Sequence, residues 1–225
     1  MTTTNSNQSA PKIVLITGAT SGIGKQTALL LASKSFLVYG TARNVEGKNL
    51  PFRLLPMDVR EPATIKQAVQ QILSEVGRID VLINNAGVGI TGAVEELPAD
   101  QLHNVFATNL YGAISVVQEV LPTMRAQKSG RIINISSIAG YMGLPFRGAY
   151  SASKGALLLM TEALRMEVKA FGIEVCTISP GDYATDIASR RYHTPVNENS
   201  PYAEVYAKQL SLMNEHVDSG GDPKE

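Results

Sequence analysis

Lys12-Ile13-Val14-Leu15-Ile16-Thr17-Gly18-Ala19-Thr20-Ser21-Gly22-Ile23-Gly24 is the stretch on which the reading of this chain turns. Lys12 to Thr17 is almost wholly apolar and rich in β-branched side chains, the pattern of a short strand covered on both faces. The strand stops in glycines at Gly18, Gly22 and Gly24, and Lys25 to Lys34 (KQTALLLASK) then supplies good helix formers. Phe36 to Ala42 (FLVYGTA) reads as strand again, completing a β-α-β unit of about 30 residues. A strand that ends in glycines and opens a helix lets backbone N–H groups approach a phosphate at the positive helix end, so this junction points to nucleotide binding. A tight turn without a ligand is the simpler alternative, weaker for three glycines than for two.

The same alternation continues outward. Phe52 to Met57 reads as a third strand, and Glu61 to Val76 as a helix in which Ile65, Ala68, Val69, Ile72 and Val76 recur at helical spacing. Asp80 to Ile83 is a fourth strand. Pro98 opens one long helical stretch toward Arg125, standing in the first turn where its missing N–H costs little. Arg131 to Ile135 is a fifth strand, Ala149 to Ala170 a helix closed by Gly172, and Ile173 to Ser179 a sixth strand with Cys176 expected as an inert core residue. Apolar strands alternating with helices argue a single-domain α/β fold: a doubly wound, Rossmann-like parallel sheet of six strands with helices on both faces. Residues 1–10 read as a flexible polar tail and 11–225 as the domain. After the sixth strand, Asp182 to Ser200 is turn-rich and polar, Pro201 to Val217 is able to form one helix, and the final DSGGDPKE reads as loop.

Composition narrows the function. A chain of 225 residues is too short for separate catalytic and cofactor domains. Twenty Lys and Arg offset twenty Asp and Glu, so no net field draws the whole molecule to nucleic acid or to an anionic membrane surface. No apolar run reaches the roughly 18 residues of a membrane span, and the polar start does not read as a signal peptide. The one cysteine forbids an intrachain disulfide, and the three scattered histidines have no zinc-ligand spacing, so no metal is expected. A cytoplasmic protein is the expectation.

Two nucleotide classes compete for the glycine turn. Gly24-Lys25 looks like the end of a P-loop, but the upstream glycine falls one residue too early and Gln26 stands where Mg²⁺ needs a Ser or Thr. The spacing G-x-x-x-G-x-G also differs from the ordinary G-x-G-x-x-G fingerprint. It resembles the classical short-chain dehydrogenase/reductase family, and the resemblance recurs from about residue 12 to 186. Asn84-Asn85-Ala86-Gly87 closes the fourth strand, where that family has N-N-A-G. Asn109 lies in the long helix, Ser137 follows the fifth strand, and Tyr150-Ser151-Ala152-Ser153-Lys154 matches Y-x-x-x-K, with Ser137 thirteen residues ahead of the tyrosine. Pro180-Gly181 follows the sixth strand, and Thr185 stands at the family's downstream threonine.

Apart from any family, Tyr150 and Lys154 are four apart and share one helix face at the carboxyl edge of the sheet, where ligands of doubly wound folds bind. A neutral tyrosine, with its ordinary pKa of about 10, is an acid for a carbonyl oxygen but a poor base for an alcohol, and a nearby ammonium favours the phenolate. Lys154 is expected to supply that charge. The resemblance implies hydride transfer between a carbonyl compound and an alcohol with a nicotinamide cofactor, Tyr150 serving as general acid or base. It implies that Ser137, rather than neighbouring Ser136, holds the substrate oxygen, that Lys154 binds the nicotinamide ribose, and that Asn109 joins a water-borne proton relay. Local bonding in mid-helix is the plainer alternative for Asn109. Cofactor contacts are implied at Gly18, Thr20, Ser21, Gly22, Ile23 and Gly24, at Asn85, Ala86 and Gly87, at Tyr150 and Lys154, and at Pro180, Gly181 and Thr185, with Asp58 and Val59 at the adenine.

The second strand ends in Thr41-Ala42-Arg43-Asn44, with no acid for a ribose 2′-hydroxyl and with Arg43 suited to a 2′-phosphate, so NADP(H) is expected over NAD(H). Ser21 departs from relatives that carry a second basic residue in the turn, which leaves a solvated Arg43 as the alternative. By position Met142, Leu144, Phe146, Tyr183, Tyr192 and His193 are candidate pocket residues, pointing to a rather apolar small-molecule alcohol or carbonyl substrate. Residues 182–217 would cover it. Relatives continue into a seventh strand and closing helix, for which no apolar run follows here. The expectation is therefore a shortened family domain with an exposed sixth strand, able to form a homodimer but not tetramers built on the missing elements. A catalytically weak or inactive nucleotide-binding protein of the same fold is the alternative function.

Overall fold

The computed structural model describes residues 10–183, 191–218 and 220–223. The expected tail, apart from Ala10, and Thr185 lie outside the described residues. In chain order the elements are β1 (Ile13–Thr17), α1 (Gly22–Ser33), β2 (Leu37–Ala42), β3 (Arg53–Pro56), α2 (Pro62–Val76), β4 (Val81–Asn84) and β5 (Ile90–Thr91). There follow α3 (Ala99–Phe106), α4 (Gly112–Gln127), β6 (Gly130–Ile135), α5 (Gly148–Val168), β7 (Ile173–Ile178), β8 (Tyr192–His193) and α6 (Ala203–Asp218).

Six strands form one parallel sheet in the order β3-β2-β1-β4-β6-β7. All five residues of β1 are buried, as a strand without a polar face requires. The chain winds outward from β1 to β3 and then returns to lay β4 on the other side of β1. The switch between β1 and β4 opens a crevice at the strand carboxyl ends.

The period-two alternation of each strand divides the core in two. Leu15, Tyr39, Leu82, Ile132 and Val175 face α2, α4 and α5 and form the larger cluster. Val14, Ile16, Val38 and Ile83 face the opposite side, where α1 contributes Ala28. Helices thus lie on both faces, but unevenly among the described residues. Because Ile173 and Val175 point toward the larger cluster, Glu174, Cys176 and Ile178 point the other way, where they stay exposed among the described residues. Cys176 is therefore exposed, not a core residue.

Two further features depart from the sequence reading. The single long helix expected from Pro98 is interrupted at Ala107–Tyr111 by a π-helical turn, which buries Thr108, Asn109 and Leu110 between α3 and α4. The segment after the sixth strand is not only turn and helix, since β8 pairs in parallel with β5 as a separate two-stranded sheet. Thr91 Oγ1 lies 2.8 Å from His193 Nδ1 and 3.0 Å from the Tyr206 hydroxyl, and Phe146 packs on Tyr206 at 5.2 Å between ring centroids. The sixth strand of the main sheet in chain order, β7, is its edge among the described residues, as expected. No helix among the described residues is long and apolar enough to cross a membrane, and none of their His, Cys, Asp and Glu groups could hold a metal ion.

Candidate active site

A cleft of about 570 Å³ runs along the carboxyl edge of the sheet. At one end stands the glycine turn. Gly18 has φ +68°, and a Cβ there would come within 3.0 Å of Ala86 Cα, so only glycine fits the turn. Gly24 serves differently, as a Cβ on it would stand 2.2 Å from Asn85 Nδ2. Asn85 holds the turn from the next strand: its Nδ2 donates to Thr17 O at 2.9 Å and to Gly18 O at 3.1 Å. In return, the backbone N–H groups of Asn85 and Ala86 donate to Thr17 Oγ1 at 3.0 and 2.9 Å. Thr17, not singled out from the sequence, couples the turn to the Asn85-Ala86-Gly87 segment.

Thr20, Ser21, Gly22 and Ile23 line the cleft beyond Gly18, whereas Gly24 is packed beneath them. Arg43 is exposed at its rim after β2, facing Asp58 and Val59. The Asp58 carboxylate is engaged by Arg60, whose Nε reaches Oδ1 at 3.0 Å and whose Nη2 reaches Oδ2 at 2.6 Å. Hydrogen bonding by Arg60, with Arg43 adding a smaller field, holds this carboxyl below its ordinary range. Pro180 and Gly181 close the opposite wall.

The middle of the cleft gathers residues from β6, α5 and the π turn. Ser136 and Ser137 follow β6 with different partners. Ser136 Oγ donates to Lys154 O at 3.1 Å, while Ser137 stands beside Tyr150 and accepts from Ala139 N at 3.2 Å. Tyr150 is 6% exposed and Lys154 4%. Burial is the largest influence on the phenol and raises its pKa, opposed by the Ser137 hydrogen bond and by the charges of Arg147 and Arg191. Lys154 Nζ donates to Ile135 O at 2.8 Å, and burial brings its pKa down to about 8.

Asn109 is 1% exposed and lies behind the cleft surface. It does not bond within its own helix. Its Oδ1 accepts from Val88 N at 2.8 Å, and its Nδ2 donates to Val88 O and to Ser153 Oγ, both at 3.0 Å. A Cβ on Gly87 would lie 3.3 Å from Asn109 Oδ1 and 3.4 Å from Lys154 Nζ, so this glycine keeps open the space between the two.

The far end of the cleft differs from the apolar pocket expected. Tyr183 lines it, but Met142, Leu144, Phe146, Tyr192 and His193 do not; instead Arg147, Asp182 and Arg191 do. Met142 is exposed, Phe146 packs against Tyr202 and Tyr206, and Tyr192 packs with Ile90 and Tyr150 in a small cluster. The sequence offered no periodicity at Arg147 or Arg191 that would have marked either as a cleft residue.

Comparison with known proteins adds ancestry to this geometry. Residues 12–195 match the short chain dehydrogenase family model. The 3-ketodihydrosphingosine reductase of Bacteroides thetaiotaomicron is 43% identical over 216 residues, covering 96% of this chain and 80% of that protein. Among solved structures, a short-chain dehydrogenase from Streptomyces avermitilis superposes with a TM-score of 0.84 at 32% identity, over 96% of this chain and 80% of that one. A short-chain dehydrogenase/reductase from Burkholderia phymatum, solved with NAD, gives a TM-score of 0.83 at 26% identity, over 95% and 82%. With the match spanning the glycine turn, the Ser137-Tyr150-Lys154 wall and the strand order between them, the chain belongs to the short-chain dehydrogenase/reductase family of oxidoreductases.

Proposed function

We propose that this protein interconverts an alcohol and a carbonyl compound with NADP(H), Tyr150 acting as the acid and base. The observation that carries the reading is the convergence of Ser137, Tyr150 and Lys154 on one wall of a cleft whose other end is the glycine turn. When bound, the cofactor supplies or accepts the hydride at its nicotinamide ring. The turn and the adjoining Asn85-Ala86-Gly87 segment offer backbone groups to its phosphates and ribose, and Lys154 faces the same space. Ser137 donates to the substrate oxygen and steadies its charge. A phenol whose pKa is raised by burial keeps its proton at neutral pH, which suits Tyr150 to protonating a carbonyl oxygen in the reductive direction. Ketone reduction is also what the name of the Bacteroides relative describes.

The preference for the 2′-phosphorylated cofactor rests on Arg43, since the end of β2 carries no carboxylate and the Burkholderia relative shows that this fold also takes NAD. A cytoplasmic setting and a homodimer belong to the same reading. The exposed Leu159, Met160 and Met166 on α5 offer an apolar face for a second copy. The decisive experiment follows NADPH absorbance with a panel of ketones and aldehydes, beside titrations with NADPH and NADH. NADPH should bind more tightly, and Tyr150→Phe should lower kcat by at least about 100-fold while leaving NADPH affinity within about threefold. Unchanged turnover in Tyr150→Phe would falsify the assigned role.

A further inference from the structure

Resting on the oxidoreductase reading of the cleft, we infer that the substrate carries an anionic group, a carboxylate or a phosphate, held by Arg191 and Arg147 while its carbonyl faces Tyr150. Arg191 is only 7% exposed, yet its buried Nη1 has no hydrogen-bond partner. A guanidinium does not shed its proton at neutral pH, and a buried charge left without a partner is costly. The fold therefore keeps an unanswered donor on a residue that lines the same cleft as Tyr150.

Arg147 strengthens the field. It is half-buried at the start of α5, lines the same cleft, and places its Cζ 5.2 Å from the Tyr150 ring centroid. Neither arginine makes an ion pair with a described residue. Asp182, which also lines the cleft, is exposed and acts on Arg191 through its field without pairing. Two guanidinium groups on one wall, neither paired with a carboxylate of a described residue, make a field suited to an anion, and a guanidinium fork matches the paired oxygens of a carboxylate or phosphate.

The position of Arg191 is also built. It directly precedes β8, whose Tyr192 N donates to Gly89 O at 3.0 Å. A Cβ on Gly89 would stand 2.9 Å from Arg191 Cγ and 3.1 Å from its Nε, so the missing side chain at 89 admits the arginine stem. The contacts of Thr91 with His193 and Tyr206 fix the strand pair that carries it.

The test follows NADPH oxidation with 4-oxopentanoate against its methyl ester, dihydroxyacetone phosphate against dihydroxyacetone, and 3-ketodihydrosphingosine, whose carbonyl neighbours an amine. In the wild-type protein the anion of at least one pair should lead in kcat/KM by about 10- to 100-fold, the size of a charge-assisted hydrogen bond. The pair that shows the lead distinguishes carboxylate from phosphate. Arg191→Met should erase the preference and Arg191→Lys should keep part of it. If Arg191→Met does not fold, Arg147→Met, at the less buried site, should still reduce the preference several-fold. Equal use of anion and neutral partner, better use of 3-ketodihydrosphingosine than of either anion, or a preference that survives both arginine-to-methionine changes overturns the inference while turnover keeps the oxidoreductase reading intact. Loss of NADPH affinity in Arg191→Met with an unchanged substrate ratio also overturns it, by assigning the arginine to the cofactor. Should no ketone turn over, the failure lies with the oxidoreductase reading. Calorimetry with 4-hydroxypentanoate and glycerol 3-phosphate then judges the subsite separately: binding to wild type but not to Arg191→Met supports it, and equal or absent binding rejects it.

Discussion

Lys154 sits almost without water, its Nζ donating to Ile135 O at 2.8 Å, and burial draws its ammonium from the ordinary 10.5 down to about 8. The unfolded chain keeps the ordinary value. Between about pH 8 and 10.5 the unfolded state therefore binds more protons than the folded one, and raising the pH through that window favours the fold. The wild-type protein should gain up to about 3 kcal/mol relative to Lys154→Met across this range, read from urea unfolding at a series of pH values. A difference that stays flat with pH would mean that the ammonium is not desolvated. Tyr150, Ser137 and Lys154 were recognisable in the sequence because their chemistry depends on spacing within the chain. Arg147 and Arg191 were not, since a lone arginine in a polar stretch carries no local sign of burial. The same holds for the partners of Asn109: its position was legible, but its bonds to Val88 and Ser153 come from segments 21 and 44 residues away.

Among the elements, β7 shows how a correct strand assignment can still misplace a side chain. Ile173-Glu174-Val175-Cys176 alternates as a strand should, and Val175 enters the larger cluster. The fate of Cys176 depends on what lies over the opposite face, which is a question of layering and not of strand propensity. One equivalent of a thiol reagent should react with Cys176 in the native protein without denaturant, and Cys176→Ser should change stability by no more than about 0.5 kcal/mol. Protection until the protein unfolds would mean that this face is covered. The π turn at Ala107–Tyr111 is the complementary case: the helix pattern of the sequence was right on both sides of it, but one extra residue in the turn was needed to bring Asn109 against Val88.

At the scale of the molecule, three helices of the described residues cover one face of the sheet and α1 covers part of the other. An apolar groove of about 320 Å³ lies beside α1, lined by Leu31, Phe36, Ile133, Ile135 and Ile178, next to β7, the edge of the sheet among the described residues. Exposed apolar surface beside an open strand edge favours both dye binding and self-association. The folded protein should raise the fluorescence of anilinonaphthalene sulfonate, and Ile178→Lys should weaken that signal and any concentration-dependent association seen by sedimentation. The sequence by itself determined the α/β alternation, the six-stranded parallel sheet, the glycine turn after the first strand and the placing of Ser137, Tyr150 and Lys154 at one edge of that sheet, because each is written in spacings of a few residues. Only the tertiary structure decided that Asn85 staples the turn, that β5 and β8 pair, and that Arg191 lies buried beside Tyr150. Each of these depends on contact between distant parts of the chain, such as the room that Gly89 leaves for a side chain at 191, and no local pattern of residues encodes it.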